Sequence, residues 1–182
     1  RQRQMCIRDS AGVCDLTTTE LADDLVGGVL SAGPQRLDMA GTMGLPQVVS
    51  LGALDMVNFG SRDTVPNRFK DRTFLVHNPT VTLMRTSLSE CTELGRRIAE
   101  KLRSATGPTE LFIPARGLSG IDVENGPFYD SAADSALFQA LRDGLDGTEV
   151  VVHNKDQAVN DPGFGKAMAE ALHVLITNGK EN

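Results

Sequence analysis

Three side chains in the middle of the chain, Asp55, His77 and Asp122, are suited to acid–base chemistry. An imidazole can change its charge near neutral pH, so His77 could act as a general acid or base, or bind a phosphate. In that arrangement Asp55 or Asp122 would orient the ring. Pro79 fixes the turn after His77 and favours an extended Asn78. The alternative for His77 is a structural imidazole that donates to a backbone carbonyl.

Two arginines could bind an anion. Arg85, followed by Thr86, stands just before a predicted helix start, where free backbone N–H groups can face a ligand. The alternative for Arg85 is a surface ion pair with Glu90. The second arginine opens the segment Arg116-Gly117-Leu118-Ser119-Gly120, whose backbone donors and guanidinium could surround an anion. The alternative there is an ordinary glycine-rich connection.

Further candidate ligand residues lie near the first strand-to-helix turn and in polar segments. Thr17, Thr18 and Thr19 occupy a turn that is typical of phosphate sites, although helix capping by Thr17 and Glu20 also explains them. Adjacent glycines would permit close backbone approach by a ligand, a partner domain or a tight turn. The remaining ligand candidates are Asp15, Gly27, Gly28, Asn58 and Asn78.

The elements that position these residues follow from the spacing of apolar side chains. Short apolar segments alternate with stretches of helical period, a pattern typical of parallel sheets that are buried on both faces. The sequence therefore predicts a Rossmann-like three-layer α/β/α fold with a mainly parallel sheet of about five strands. A capping box formed by Ser87 and Glu90 predicts one helix start. The strands are predicted at Val13–Leu16, Pro46–Ser50, Thr73–His77, Leu111–Pro114 and Glu149–His153.

One edge of that predicted sheet collects the polar residues. In open α/β sheets ligands bind beyond the carboxyl ends of the strands. Two long loops, 51–72 and 115–129, leave from this edge, and long loops in compact domains are usually functional. We therefore expect a binding site there. The strand ends deliver Asp15, Ser50, His77, Pro114 and His153 to it.

Composition argues against several classes of function. The chain has 182 residues, enough for one domain with a full core, which we expect to span 11–182. A net charge of −6, one Tyr and no Trp argue against a nucleic-acid partner. No apolar run approaches the roughly 18 residues of a membrane span, so no membrane association is expected. Residues 1–10 fit translated adapter sequence, or alternatively a disordered tail.

The cysteines and histidines bear on compartment and on metal binding. The three cysteines have no paired spacing, which is typical of a reducing compartment, so we expect a cytoplasmic protein. The three histidines share no spacing typical of metal ligands, and no metal site is predicted from them. Asp15, Asp55 and Asp122 could hold Mg²⁺ together with the phosphates of a nucleotide if the fold brings them together.

Three segments of the chain resemble an uncharacterised protein family of bacteria, fungi and plants: Asp15–Leu37, Gly52–Thr86 and Glu110–Leu141. Within them the wording GALDMVNFG and HNPTVTLMRT is specific. The resemblance runs from Gly12 to Ile176. The family includes a tobamovirus (tomato mosaic virus) resistance protein that is described as having an ATP-binding domain.

This resemblance implies cofactors and partners. Family members are much longer than this chain, and the three segments belong to their C-terminal half, whereas the ATP-binding description attaches mainly to the N-terminal half. The resemblance therefore implies a nucleotide site shared with an N-terminal domain, with ATP and Mg²⁺ as the cofactor. Where that half is missing, an apolar face is uncovered, and we expect a homo-oligomer.

Three functions follow, in order of preference. The first is binding of an anionic or phosphorylated small molecule, for which a nucleotide is the leading candidate. The second is an enzyme that uses His77 as a general acid or base on a small anionic substrate. The third is a protein-interaction module, as the antiviral role of the plant member implies.

Overall fold

A computed structural model describes residues 10–179 of the chain, so the prediction of a tail at residues 1–10 lies almost wholly outside the described residues. Among residues 10–179 no helix has the length and apolar character that a membrane span needs. The α-helices and strands, in chain order, are β1 (Val13–Thr17), α1 (Thr19–Val26), α2 (Asp38–Thr42), β2 (Gln47–Gly52), β3 (Met56–Phe59), β4 (Phe74–Asn78), β5 (Val81–Arg85), α3 (Leu88–Arg103), β6 (Thr109–Pro114), α4 (Ser131–Leu145), β7 (Val151–Lys155) and α5 (Phe164–Asn178).

Four of the strands form a parallel sheet in the order β1-β2-β6-β7. Gln47 of β2 lies opposite Val13 of β1 and Thr109 of β6, and Glu110 of β6 lies opposite Val151 of β7. All six residues of the central strand β2 are buried, as expected for a strand covered on both faces. The predicted α/β Rossmann-like fold class is confirmed.

Helices cover both faces of the parallel sheet. On one face the apolar side chains of β2 and β6 pack against α1, α3 and α4 and form the larger core cluster. On the other face α5 packs its Phe164 and Met168 against Val48 of β2 and Phe112 of β6. The larger cluster includes Val49, Leu51, Leu94, Ile98, Leu111, Ile113, Leu137 and Leu141.

A second, antiparallel sheet of three strands, in the order β3-β5-β4, occupies much of the chain between β2 and α3. The strand predicted at Thr73–His77 exists as β4, but it pairs with β5 in this second sheet rather than with the parallel strands. The predicted loop at 51–72 contains β3 and two short 3₁₀ turns, Arg62–Thr64 and Asn67–Phe69. Asn78 Oδ1 accepts a hydrogen bond from the Thr80 N–H at 2.9 Å, which tightens the turn between β4 and β5.

The two predicted capping boxes have different outcomes. At α3 the box is confirmed, since Ser87 Oγ accepts from the Glu90 N–H and Glu90 accepts from the Ser87 N–H at 2.7 Å. At α1 the box predicted from Thr17 and Glu20 is wrong, because the N-cap is Thr18 and its side chain makes no capping bond. The Thr18 hydroxyl donates instead to the Ser50 carbonyl at 3.1 Å, which ties α1 to β2.

Candidate functional site

A buried arginine, Arg85 at the end of β5, binds groups from several parts of the chain. Its Nη2 lies 2.5 Å from Asp134 Oδ1 on α4 and 3.5 Å from Asp122 Oδ1. Its Nε donates to the Phe128 carbonyl at 2.7 Å, and its Nη1 donates to Thr86 Oγ1 at 2.8 Å. The second sheet is thereby fixed to the 115–130 loop and to the first turn of α4.

The alternative considered for Arg85, an ion pair with Glu90 at the surface, is wrong. Arg85 is only 6% exposed, and Glu90 pairs with Arg72, whose two guanidinium nitrogens lie 3.0 and 2.6 Å from the Glu90 carboxylate. The predicted helix start is real, but Arg85 points into the protein. Its charge meets internal carboxylates rather than a free anion.

Asp55, one residue before β3, is fully buried beside this arginine. Its backbone is fixed by the antiparallel pairing of Met56 with Arg85, and its carbonyl accepts from the Thr86 N–H at 2.9 Å. Its Oδ2 accepts from the Ser119 hydroxyl at 2.8 Å. Its Oδ1 has no hydrogen-bond partner among the described residues. The sequence-predicted residues Asp55, Arg85, Thr86 and Ser119 therefore belong to one cluster.

Asp122 completes the cluster from within the 115–130 loop. It is fully buried, and its Oδ2 accepts from the Leu118 N–H at 3.1 Å. Gly117 allows this turn, because a Cβ at Gly117 would lie 2.2 Å from the Asp122 carbonyl oxygen. Gly117 is thus explained by close packing of the backbone, and Gly120 at the surface of the same turn is exposed.

Three buried carboxyl groups share one guanidinium in this cluster. Burial raises the pKa of Asp55 to about 6, although the Ser119 hydrogen bond and the Arg85 charge oppose the shift. Burial also raises the pKa values of Asp122 and Asp134, and the two neighbouring carboxyl groups repel each other's charges. The arginine balances one negative charge, so the cluster retains protons at a pH where ordinary carboxyl groups have lost them.

Asp134 links this cluster to an open cleft of about 490 Å³ at the carboxyl end of β6. A larger groove, of about 660 Å³, lies at the amino ends of β6 and β7. We favour the smaller cleft as the ligand site, because ligands of α/β sheets bind at the carboxyl edge of the strands. Its lining includes Arg116, Glu124, Tyr129, Ser131, Asp134, Ser135 and Asp161.

Arg116 is the one predicted anion-binding arginine that stays accessible. Its side chain is 66% exposed, and its Nε lies 2.7 Å from the carboxylate of Asp156, which is itself 82% exposed. Solvent screens such an exposed ion pair and makes it weak, so a ligand could replace it at little cost. Arg116 therefore remains available to a group bound in the cleft.

The predicted ligand residues of the second sheet and of the glycine pair have structural partners. Asp23, fully buried on α1, accepts from the Asn58 N–H at 2.8 Å, from its side-chain amide at 3.2 Å and from the Leu30 N–H at 2.7 Å. The Gly27 and Gly28 N–H groups donate to the Asp23 carbonyl. A Cβ at Gly28 would lie 2.4 Å from Asp23 Cγ. Hydrogen bonds and close packing at Asp23 account for Asn58 and Gly28, and the left-handed backbone of Gly27, with φ of 96°, ends α1.

The first strand-to-helix turn is similarly occupied. Asp15 pairs with Arg36 at 2.6 Å, and the same guanidinium donates to the Thr17 carbonyl at 3.2 Å. The Thr19 hydroxyl accepts from the Asn58 side-chain amide at 3.1 Å. Asp15 is thus held apart from the other two aspartates proposed to bind Mg²⁺. Within residues 10–179, no three His, Cys, Asp or Glu side chains form a group that could hold a metal ion.

The predicted placement of His77 at the edge of the parallel sheet is wrong, because β4, which ends in His77 and Asn78, belongs to the second sheet. Both residues are exposed at the turn between β4 and β5, whereas Arg85 ends β5. The length of β5, about 13 Å at roughly 3.3 Å per residue, separates the turn from the cluster. The structure therefore does not bring His77 together with Asp55 and Asp122. A role for His77 at some other surface stays a prediction.

His153 lies at the face of the sheet that carries α5. Its Nε2 is 2.7 Å from Glu110 Oε2, and its ring centroid is 4.3 Å from that of Phe112. The sequence did not reveal two buried carboxyl groups, Asp134 beside Arg85 and Asp23 on α1. An acidic residue in the first turn of a helix is ordinarily explained by the helix dipole, and nothing local indicates that Asp134 meets Arg85, 49 positions away.

Replacing Arg85 by Met should lower the free energy of unfolding by about 3–5 kcal/mol, because it leaves buried carboxyl groups without their cation. The matched control is Arg96→Met, since Arg96 is 59% exposed and pairs with Glu93 and Glu100 at the surface of α3. That change should lower the free energy of unfolding far less, because solvent screens these surface ion pairs. Urea denaturation measures both. Equal losses for the two variants would contradict the assigned role of Arg85.

The raised pKa of Asp55 predicts a dependence of stability on pH. The folded state binds this proton more tightly than the unfolded state, so the contribution of Asp55 to stability falls as pH rises from its ordinary pKa of 3.8 through about 6. Asp55→Asn stays neutral and removes this dependence. The variant should therefore gain stability relative to the wild type across this window and change no further above it, as measured by urea denaturation at each pH.

Glu93→Gln provides a control of opposite sign. Hydrogen bonds from Arg96 and Arg97 lower the pKa of Glu93 to about 2, so the wild type gains stability from this group as pH rises from about 2 to the ordinary pKa of 4.5, and keeps that gain at higher pH. That variant should lose stability relative to the wild type as pH rises. A pH profile for Asp55→Asn that parallels the wild type would show that Asp55 is ionised in the fold.

Comparison with known proteins places these residues in a wider group. The profile of the C-terminal domain of an uncharacterised protein family, UPF0261, matches residues 4–176. A UPF0261 protein of Clostridium tetani is 51% identical over 161 residues, which cover 88% of this chain and 40% of that protein. In tomato (Solanum lycopersicum), the ToMV resistance protein Tm-1(GCR237) and the ToMV susceptible protein tm-1(GCR26) are 39% and 38% identical, each over 88% of this chain and 22% of its own length. The chain thus spans two fifths of the bacterial relative and less of the tomato proteins.

Proposed function

The chain belongs to the uncharacterised protein family UPF0261, as its C-terminal domain, and we propose that this domain binds a small ligand with an anionic group in the cleft beside Asp134. One observation carries the proposal. The cleft lies at the carboxyl end of β6, and its lining includes Asp134, a member of a buried charge cluster assembled from distant parts of the chain. Such clusters with perturbed pKa values concentrate at functional sites.

An anionic group has two donors in this cleft. The first turn of α4 begins at Ser131, where helix N–H groups have no partners within the helix. The Asp130 carboxylate already accepts from the Ala133 N–H at 3.0 Å, so the N–H groups of Ser131 and Ala132 are the ones that can face a ligand. Arg116 stands opposite as an accessible guanidinium. Glu124 and Asp161 line the same cleft, and their carboxylates can accept hydrogen bonds from hydroxyl or amino groups of the rest of the ligand.

A nucleotide satisfies this pattern with one condition. The cleft offers one cationic side chain beside three acidic ones, so a free triphosphate would be repelled, and its charge would have to be reduced by Mg²⁺. We therefore propose ATP with Mg²⁺, or a singly phosphorylated molecule, as the ligand to test. Because the relatives are much longer than this chain, the site would be shared with an N-terminal domain.

The interaction-module alternative receives less support from the relatives. A tomato protein named for ToMV resistance and one named for susceptibility match this chain almost equally, at 39% and 38% identity. The match to this chain therefore does not favour the resistance protein over the susceptible protein as a guide to its function. A protein partner stays a prediction, without a surface assigned to it.

A thermal-shift measurement tests the ligand. The 182-residue chain and the Clostridium tetani relative are each heated with ATP, ADP, AMP or inorganic phosphate, with and without Mg²⁺. A ligand that binds the folded state alone raises the apparent stability by RT ln(1 + [L]/Kd), about 2.7 kcal/mol at a hundredfold excess over Kd. We expect an upward shift of the midpoint, and Arg116→Ala should abolish it.

Arg96→Ala is the matched control, because it removes an arginine that is also exposed and ion-paired but lies on α3, outside the cleft. It should leave the ligand shift unchanged. A shift seen in the relative alone would place the site in, or share it with, the remainder of the longer protein. No shift in either protein, or a shift insensitive to Arg116→Ala, would contradict the proposed cleft.

The second candidate is acid–base catalysis in the same cleft, favoured by the Asp122–Asp134 pair. Two carboxyl groups beside one guanidinium can keep a proton, and Asp134 lines the cleft, where it could pass that proton to a substrate. With a compound that shifts the melting midpoint, Asp134→Asn should retain the shift and lose turnover. His77→Ala should retain both. Loss of turnover in His77→Ala alone would favour the histidine instead.

A further inference from the structure

The outer edge of β1 is open within residues 10–179. In that part of the chain β1 borders β2 only, and the opposite side of β1 has no strand beside it. Cys14, Leu16 and Thr17 are exposed, with Leu16 at 39%, whereas β2 is buried along its whole length. An open edge with an exposed apolar residue can recruit another strand. The other edge strand, β7, also exposes an apolar residue, Val151 at 49%, so the choice of β1 rests on α5 and on the path of the chain.

The helix under that edge is also only partly covered. The C-terminal half of α5 reaches the amino end of β1, where a Cβ at Gly12 would lie 2.9 Å from Leu172 Cδ1 and 3.0 Å from Ile176 Cδ1. Phe164 and Met168, in the first half of α5, are buried. The apolar stripe of the second half stays half-buried at Ala171, Leu172, Leu175 and Ile176.

The path of the chain points to the same edge. The connections from β1 to β2, from β2 to β6 and from β6 to β7 contain α1, α3 and α4, which all pack on one face of the sheet. The sheet therefore grows in one direction, from β1 to β7. After β7 the chain crosses to the other face, and α5 returns to β1 and β2. In doubly wound sheets, helices on the second face connect strands that lie beyond the first one. The position for a further strand is therefore beside β1.

The longer relatives contain chain that could fill this position. The match covers 40% of the Clostridium tetani protein, so most of that protein lies outside it. We propose that the open edge of β1 binds a parallel β-strand supplied by the part of the longer family protein that lies outside this match. A helix attached to that strand would then cover Leu16 and the second half of α5. This inference does not rest on the ligand proposed for the cleft.

Hydrogen exchange tests the proposal with a built-in control, because β7 forms the other edge of the same sheet. The test uses a chimera in which residues 11–179 of this chain replace the matching segment of the full-length Clostridium tetani protein. Amide exchange of the β1 peptide is then compared with that in the 182-residue chain. The outward amides of β1 should exchange at least about a hundredfold more slowly in the longer protein, and those of β7 should change by less than about threefold.

Cross-linking from Cys14 identifies the strand. A thiol–amine reagent attached to this exposed cysteine in the chimera should join it to a segment outside the match, in the same polypeptide and at every dilution. Equal exchange of β1 in both proteins would overturn the proposal. So would protection of β1 in the 182-residue chain that grows with its concentration, because the occupant would then be a second copy of this chain.

Discussion

The organisation of the candidate site depends on the need to satisfy one buried guanidinium. Arg85 enters the interior from the end of β5, and an unpaired charge there would cost several kcal/mol. The Phe128 carbonyl, the Thr86 hydroxyl and the Asp134 carboxylate meet its donors within hydrogen-bond distance. These partners come from the 115–130 loop, from the start of α3 and from α4. The second sheet therefore positions this cation beside the loop at the carboxyl end of β6.

The cluster contains more carboxyl groups than its single guanidinium can neutralise. A single ion pair would be neutral and inert, whereas Asp55, Asp122 and Asp134 together exceed the charge that Arg85 can balance. The interior resolves the excess by holding protons, which raises the pKa values of the carboxyl groups. A structural role alone would be served as well by apolar side chains of similar volume. The arrangement is better explained by a requirement for polar groups beside the cleft.

The sequence predicted the parallel layer well and the second sheet poorly, for identifiable reasons. Strands such as β2 and β6 are continuous apolar runs, and the Ser87 cap obeys a local rule, so both can be read within a few positions. The strand β3 has only four residues, interrupted by Asn58, and β5 ends in Arg85, so neither holds an apolar run as long as Leu111–Pro114 of β6. The pairing of Arg85 with Asp134 depends on tertiary contact, which no local pattern encodes. His77 was misplaced because β4 was assigned to the wrong sheet.

The two sheets also differ in the sequence separation between the strands that pair within them. The turn between β4 and β5 joins neighbouring strands, and a hairpin of that kind forms in roughly 1–10 μs. Gln47 and Thr109, which pair β2 with β6, are 62 positions apart, and the second sheet lies between them. Closing that distance costs more chain entropy while the intervening segment is unfolded. We therefore expect the antiparallel sheet to fold first. Its formation shortens the flexible segment between β2 and β6 and so lowers the entropy cost of pairing these two strands.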